Sequence, residues 1–317
     1  MKQPLYKNPV LYIIIPLLFF TSPWFDLIGQ DFLTATSELT TIDKAKHTIQ
    51  LDKNVYIVRK SSGSSLNTDR LILMKDATSD QFLTGEAIGN VEINFYNIPK
   101  NSGESQKSVE KGHLNCDYAH FDRSLTSVLL NGNLRVKTNN YFIQADKIRY
   151  NYGSEKGKIT AKPEQQVKVI IKKKSKPNAG NSNQKQENEI VGLADQVLID
   201  KPAGKLVLQG NVFLNDQQEN SKFKSNRADL FFDEQDEIEK IIANGKFSLS
   251  QPGRISTANR ATFNYHTEII DLIGDAVVKE NNQVEFTAPK IKMYLKVKKG
   301  VIQGVDQVPV KMKIELD

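Results

Sequence analysis

The feature that most constrains the fold is a repeat whose centre is a glycine followed by a small or polar residue. Copies are centred on Gly89, Gly132, Gly210, Gly245 and Gly274. Apolar residues stand at alternate positions on both sides of each centre, as Leu206, Leu208, Val212 and Leu214 do around Gly210. Successive side chains of a β-strand point to opposite faces, so this period of two predicts strands with one buried face. Repetition along the chain predicts an architecture built from stacked strand units.

A second half-unit alternates with the first. It consists of a small residue, then Asp or Asn, then apolar residues at alternate positions, and its acids and amides are Asp69, Asp117, Asp146, Asp195, Asn226 and Asn259. One such residue per repeat, at a fixed position in a strand, favours a role in turn or ladder geometry. Ala288-Pro289 is a late copy, in which the proline predicts an edge or the start of a strand.

The sequence gives no indication of catalysis. No acid stands out as one partner of an acid–base pair, and the G-x-S-x-G, H-E-x-x-H and P-loop motifs are absent from the sequence. We therefore predict a protein that is not an enzyme and has no catalytic residue and no cofactor.

The repeats run from about residue 40 to the C-terminus and predict one β-domain over residues 31–317. Two segments interrupt it, residues 99–111 and 172–189, which are rich in Lys, Asn, Ser, Gln and Gly. They have little to bury and are predicted to be polar loop insertions. The second could also be a domain boundary, but matching repeats on both sides favour one continuous stack.

The composition gives a weak indication of the partner. Of the 317 residues, 39% are hydrophobic and 25% charged, and the net charge is +6. This balance is typical of a globular chain and favours an anionic partner. Nucleic acid is not expected, because the sequence has no cluster of aromatic and basic residues and no helical recognition motif. A phosphorylated glycolipid or an anionic membrane surface would suit the same charge.

Cys116 is the only cysteine, which excludes an intrachain disulfide and a four-cysteine zinc site. With His113 and His120 it could suggest a metal site. However, Cys116 occupies the small-residue position that Ala145 and Ala194 fill in other repeats, so packing explains it. On a strand, His113 would also point away from the face of Cys116 and His120. We predict no metal site.

The N-terminus predicts export. Lys2 and Lys7 precede an apolar run from Val10 to Phe20, which is the order of a signal peptide. Residues 1–30 are predicted to be a signal peptide, with residues 9–29 as an uncleaved membrane anchor in the alternative. Both interpretations predict that residues 31–317 are exported, so we expect a periplasmic protein. With an uncleaved anchor, it would be tethered to the inner membrane.

The alternation of both half-units resembles the LptA/OstA family of periplasmic lipopolysaccharide-transport proteins. The resemblance is strongest over residues 238–304, in the segments 241–245, 257–265 and 270–275, which read Ile-Ile-Ala-Asn-Gly, Thr-Ala-Asn-Arg-Ala-Thr-Phe-Asn-Tyr and Ile-Asp-Leu-Ile-Gly-Asp. It weakens toward residue 40. No single motif is specific, and the specificity lies in the alternation over most of the chain. An uncleaved anchor would make the chain more similar to LptC, the membrane-anchored relative.

The resemblance implies a twisted antiparallel β-jellyroll of two facing sheets with open edges, which holds the acyl chains of lipopolysaccharide or a similar glycolipid in an apolar trough. It also implies docking onto the jellyroll components at the inner and outer membranes, and an end-to-end homo-oligomer is a further expectation. Candidate trough residues are Leu208, Val212, Leu230, Ile241, Phe247, Phe263 and Leu272.

Two other classes of protein remain open from the residues alone. One is an outer-membrane β-barrel, since segments of about ten alternating residues fit that architecture too. The other is a β-solenoid that binds or processes a polysaccharide. For the jellyroll, we expect unpaired end strands near residues 49–58 and 301–314, where another chain could add a strand.

Overall fold

In the computed structural model, the regular elements described are all β-strands. The strands up to residue 160 are β1 (Leu33–Thr36), β2 (Leu39–Asp43), β3 (Thr48–Arg59), β4 (Ser65–Lys75), β5 (Phe82–Asn97), β6 (Glu110–Asp122), β7 (Ser127–Thr138), β8 (Tyr141–Asn151) and β9 (Lys156–Thr160). The later strands are β10 (Val167–Lys172), β11 (Glu189–Ala194), β12 (Gln196–Asp200), β13 (Lys205–Asp216), β14 (Ser221–Phe232), β15 (Ile238–Gln251), β16 (Arg254–Asn264), β17 (Ile269–Glu280), β18 (Val284–Tyr294), β19 (Lys299–Gln303) and β20 (Lys311–Ile314).

The structure describes residues 33–59, 63–78, 82–97, 110–139, 141–172, 189–217, 219–233, 237–281, 283–294, 299–303 and 310–314. The predicted signal peptide or anchor, and most of both predicted insertions, lie outside these ranges. The predicted insertion bounds of 99–111 and 172–189 are too wide, because residues 110 and 111 begin β6, Lys172 ends β10 and Glu189 begins β11. Within the described ranges, no helix has the length and apolarity needed to cross a membrane.

The chain forms two compact units that divide between Val167 and Lys168. In the N-terminal unit, β3 to β9 pair consecutively in antiparallel ladders. Strands β1 and β2 both pair with the other side of β3. The prediction of an unpaired end strand at residues 49–58 is therefore wrong, because Leu33–Asp43 supplies a further, interrupted strand beside it.

The C-terminal unit repeats the arrangement. Strands β13 to β18 pair consecutively and antiparallel, β11 and β12 pair with β13, and β19 and β20 pair with β18. The predicted all-β fold, a repeat-built twisted antiparallel jellyroll, is confirmed.

A β-bulge explains the glycine of the first half-unit. Gly132 (φ 80°) and Asn133 (φ 47°) both have left-handed backbones and lie opposite the single residue Asp117. A bulge that places two residues opposite one bends the strands and increases their twist. Glycine adopts the left-handed backbone of the bulge at little steric cost. The same bulge recurs at residues 53–54, 89–90, 210–211, 245–246 and 274–275.

The bulge also joins the two half-units. The side chain of Asp117 lies over Gly132, so a Cβ at residue 132 would lie 2.8 Å from the Asp117 Cβ. Asn133 Nδ2 donates to Asp117 Oδ2 at 2.9 Å. Equivalent amide–carboxylate bonds are Asn90–Asp69 at 2.9 Å, Asn211–Asp195 at 3.0 Å and, with the donor reversed, Asn259–Asp275 at 3.0 Å. The ladder role predicted for the recurring Asp and Asn is confirmed at these positions.

Pro289 is placed differently from its prediction. It lies in the middle of β18, between Ala288, which pairs with Ala276, and Lys290, which pairs with Ile273. This is the bulge position opposite Gly274 and Asp275. Proline lacks a backbone N–H and is tolerated where a bulge interrupts the ladder, so neither an edge nor a strand start is needed.

In the C-terminal unit, the bulges divide the strands into two halves, here called layers A and B. Layer A comprises residues 196–209, 227–232, 238–244, 260–264, 269–273, 290–294 and 299–303, and layer B comprises 189–194, 212–216, 221–225, 247–251, 254–258, 276–280, 284–288 and 311–314. One core cluster contains residues of both layers, such as Leu272 and Met293 of layer A and Leu249 and Val278 of layer B. The bend therefore brings the apolar faces of both halves into one interior.

Candidate functional site

All seven candidate trough residues point into the interior of the C-terminal unit. Six of them are buried, and four of these, Leu208, Val212, Leu230 and Leu272, are at most 1% exposed. Phe263 is half-buried and packs against the core cluster. The four most buried side chains thus belong to the closed core, whereas Phe263 has accessible surface.

A set of inward apolar side chains that the sequence analysis did not single out is also only half-buried. Phe223 and Phe286 of layer B and Ile302 of layer A pack against the same core cluster as Phe263. These four residues, here called the aromatic margin, lie one or two inward positions away from the bulges. Their inward alternation was visible in the sequence, but nothing in it distinguished them from the core.

Small side chains are frequent beside the bulges and rarer further out. Ala228, Ala243 and Ala261 pair in the row of layer A nearest the bulges, with Leu208 and Leu272 on either side. In layer B, Ala276 pairs with Ala288 in the corresponding row. The next inward positions carry mostly larger side chains, among them the three rings of the aromatic margin. Small residues let the layers approach closely at the bend and leave larger, less covered side chains further out.

The aromatic rings are in contact with one another. The rings of Phe223 and Phe247 lie 5.9 Å apart, and Phe263 meets Tyr265 edge to face at 4.1 Å. Burial raises the pKa of the Tyr265 phenol, and the charges of Asp216 and Glu219 raise it further. Tyr265 directly follows the layer A half of β16, and Asp216 ends the layer B half of β13. The far ends of the two layers therefore approach each other here.

Polar groups also lie at the end of layer B. Arg254, the first residue of β16, donates through Nη2 and Nε to Glu280 Oε1 at 2.7 and 3.0 Å. Arg254 has the same strand parity as the inward residues Ser256 and Ala258. From the end of layer B to the bulge, the inward side chains of β16 are therefore the charged Arg254, then Ser256, then Ala258.

The described residues hold no group of three or more side chains of the types that could ligate a metal ion. Cys116 is buried, its thiol donates to the Tyr118 carbonyl at 3.3 Å, and burial raises its pKa to about 12. His120 lies 3.2 Å from Glu86, and His113 lies 2.8 Å from the Asn94 amide oxygen. The predicted shared face of Cys116 and His120 is wrong, because the strand changes parity at Asp117 and turns His120 outward.

Comparison with known proteins gives one family match. Residues 193–299 match the model described as the LptA/(LptD N-terminal domain) lipopolysaccharide transport protein. No curated relative matches the chain.

Among solved structures, the chain is similar to LptH, the LptA-homologous periplasmic component of the lipopolysaccharide transport device of Pseudomonas aeruginosa. The identity is 9% and the TM-score 0.31, over 51% of this chain and 94% of that one. A TM-score this low supports no argument about function. The family match covers β12 to β18 and the bulges at Gly210, Gly245 and Gly274. Residues 193–299 are thus similar to the LptA/(LptD N-terminal domain) family of lipopolysaccharide transport proteins.

Proposed function

We propose that this chain is a periplasmic lipopolysaccharide-binding protein that shields acyl chains in the interior of its C-terminal unit. The aromatic margin carries the proposal, because Phe223, Phe263, Phe286 and Ile302 are inward, apolar and only half-buried. Each CH₂ group that leaves water for an apolar surface gains about 0.8 kcal/mol, so several acyl chains gain enough to be held without any chemistry by the protein.

Transport along a bridge requires contact with neighbouring components, and the edge strands suit this role. Strands β19 and β20 pair only with β18 among the described residues. Val301 and Met312 on these strands are 45% and 60% exposed. A partner strand could continue the sheet there by backbone hydrogen bonds and cover these side chains. In the N-terminal unit, the corresponding edge is β2, where Leu39 and Ile42 are exposed.

Photo-crosslinking in cells that make lipopolysaccharide tests the lipid site. We expect a crosslinking side chain at Phe263 or Phe286 to capture lipopolysaccharide. The matched control is Ser250, an exposed residue of β15 in layer B. Leu272 is a poor position for the probe because it is completely buried. Equal capture at inward and outward positions, or capture of a polysaccharide without acyl chains, would refute the lipid trough.

Sedimentation of the exported chain tests the docking edge. We expect reversible end-to-end association, which Met312→Lys weakens because a charge replaces an exposed apolar side chain on the edge strand. Leu125→Lys, an equally exposed apolar position in the turn after β6, is the control and should leave association unchanged. A strict monomer at high concentration, with no binding to a jellyroll partner, would exclude this part of the proposal.

A further inference from the structure

The interior contains one hydroxyl group for which the described residues provide no partner. Ser256, in layer B of β16, is 0% exposed, and its Oγ makes no hydrogen bond. A buried polar group without a partner is uncommon, because it loses its hydrogen bonds to water and gains none in return.

Two buried hydroxyl groups in comparable strands have partners, which sets Ser256 apart from them. Thr68 Oγ1 donates to the Arg70 carbonyl at 3.2 Å, and Ser225 Oγ donates to the Arg227 carbonyl at 2.9 Å. Both occupy the small-residue position immediately before the bulge residue, where the bent backbone brings the carbonyl two residues on within reach. Ser256 lies two residues before this position, which Ala258 fills in β16.

The other buried polar atoms without a hydrogen bond have a charged neighbour or another interaction. His120 Nδ1 lies 3.2 Å from Glu86, Asp271 Oδ1 lies 3.7 Å from Lys292 Nζ, and Asp200 has a further interaction. Ser256 is a neutral hydroxyl with none. Its cross-strand neighbours are Leu249 and Val278, so its surroundings in the sheet are apolar on both sides.

The distance between the Ser256 hydroxyl and Arg254 indicates which part of a bound lipid would lie beside the hydroxyl. Leu249 pairs in turn with Phe223, and Val278 with Phe286, so two rings of the aromatic margin flank Ser256 in its own row. Arg254 and its partner Glu280 lie one inward position nearer the end of the layer, about 6.8 Å along the strand. A ligand with its polar end at Arg254 and its chain directed along β16 would therefore bring the first few atoms of that chain to Ser256.

We infer that Ser256 is a polar subsite within the apolar interior, which hydrogen-bonds to a hydroxyl or ester oxygen near the carboxyl end of an acyl chain. The inference rests on the proposed lipid-binding function and adds a preference for acyl chains substituted in this way. Because Ser256 is fully buried, the side chains that cover it must move for the ligand to reach it. The hydrogen bond then satisfies a group that is otherwise buried without a partner.

The test compares two matched probes, 3-hydroxytetradecanoic acid and tetradecanoic acid, by displacement of anilinonaphthalene sulfonate from the full exported chain. We expect the wild type to bind the hydroxylated acid roughly three to ten times more tightly, as one hydrogen bond implies. Ser256→Ala should abolish this preference and leave the affinity for tetradecanoic acid unchanged. Ser250→Ala, on the outer face of the neighbouring strand, should retain the wild-type preference.

Stability provides a second readout. Removal of a hydroxyl without a partner should leave the urea midpoint of ligand-free Ser256→Ala unchanged or raise it. A lower midpoint together with an unaltered preference would mean that Ser256 has a structural partner such as a buried water, and would overturn the inference. Equal binding of both acids by the wild type would also overturn it but leave the proposed function intact. If neither acid binds the wild type, the proposed lipid-binding function fails with it.

Discussion

Phe121 and Phe263 occupy the same position in the repeat but differ in burial. Each stands four residues after the acid or amide of its bulge, Asp117 or Asn259, at the last inward position of its strand before a turn. Phe121 in the N-terminal unit is 3% exposed, whereas Phe263 in the C-terminal unit is half-buried.

The neighbours on adjacent strands account for the difference. Phe121 pairs with Gly85, which has no side chain, and a Cβ added there would already contact the Phe121 ring at 3.8 Å. Phe263 pairs with Ile241 and Ile270, two branched side chains that fill the adjacent space. The ring of Phe263 packs instead against the edge of Tyr265.

The comparison shows that the position in the repeat determines the face of the sheet and that neighbouring side chains determine burial. At the ends of β6 and β8 in the N-terminal unit, Phe121 and Tyr150 are both at most 3% exposed. In the C-terminal unit, the aromatic margin leaves partly accessible apolar surface. This is why we assign the proposed lipid contacts to the C-terminal unit.

The largest expected effect comes from truncating these two rings. Phe121→Ala should lower the free energy of unfolding by roughly 3–5 kcal/mol, as for a buried aromatic residue. Phe263→Ala should cost only about 1–2 kcal/mol, because its ring already contacts water. Urea unfolding of both variants measures this. Equal losses would mean that the two positions are equally buried, and the comparison would fail.

A binding measurement separates a loss of stability from a loss of the lipid site. Phe263→Ala should weaken displacement of anilinonaphthalene sulfonate by tetradecanoic acid, while a variant of the N-terminal unit that loses at least as much stability should not. Leu73→Ala is such a variant, since Leu73 occupies the corresponding position four residues after Asp69 and is only 9% exposed. Weaker displacement in both variants would indicate that lipid binding depends on overall stability.

The bulge glycines should behave alike in both units, which sharpens the comparison. Gly132→Ala places a Cβ at φ 80° against Asp117, and Gly274→Ala places one at φ 77° at 2.9 Å from Asn259 Nδ2. Each should cost roughly 2–4 kcal/mol, from the left-handed backbone and the crowding. Gly85→Ala is the control without a left-handed backbone, and its nearest neighbour is a flexible Leu73 methyl at 3.3 Å. A loss at Gly132 alone would show that the bulge stabilises the two units differently.

The sequence predicted the strands, their inward faces and the glycine centres of the repeats, because period-two alternation and glycine are local signals. It could not separate core from margin, since the exposure of Phe263 depends on Ile241 and Ile270 and on side chains of the other layer. The end strand was misplaced for a related reason. Leu33–Asp43 is rich in threonine and broken at Ser37 and Glu38, so it shows no clear alternation, although it pairs with β3.

Pro289 and His120 show why a β-bulge makes a prediction from alternate positions fail. The position of Pro289 in β18 is opposite a bulge, where a missing N–H is tolerated, but proline alone indicated an edge. His120 follows the parity change at Asp117, so it faces outward, although an even spacing from Cys116 predicts the same face. In both cases the prediction assumed an uninterrupted strand, whereas a bulge changes the parity and interrupts the ladder of hydrogen bonds.

The smallest expected effect concerns a charged pair on the outer face of the N-terminal unit. Hydrogen bonds from Arg70 Nε and from Gln50 Nε2, the latter at 2.7 Å, lower the pKa of Asp52. A lowered folded-state pKa means that the carboxylate stabilises the fold above its unfolded pKa of about 3.9, and that this contribution is lost as the pH falls through the folded value. Arg70→Met should therefore be less stable than wild type at pH 6, and the difference should begin to shrink as the pH falls below about 3.9. Arg149→Met, at an exposed position of β8, should show no such pH-dependent difference. A difference for Arg70→Met that stays constant between pH 6 and pH 3 would mean that packing of the Arg70 chain, and not its charge, stabilises this face.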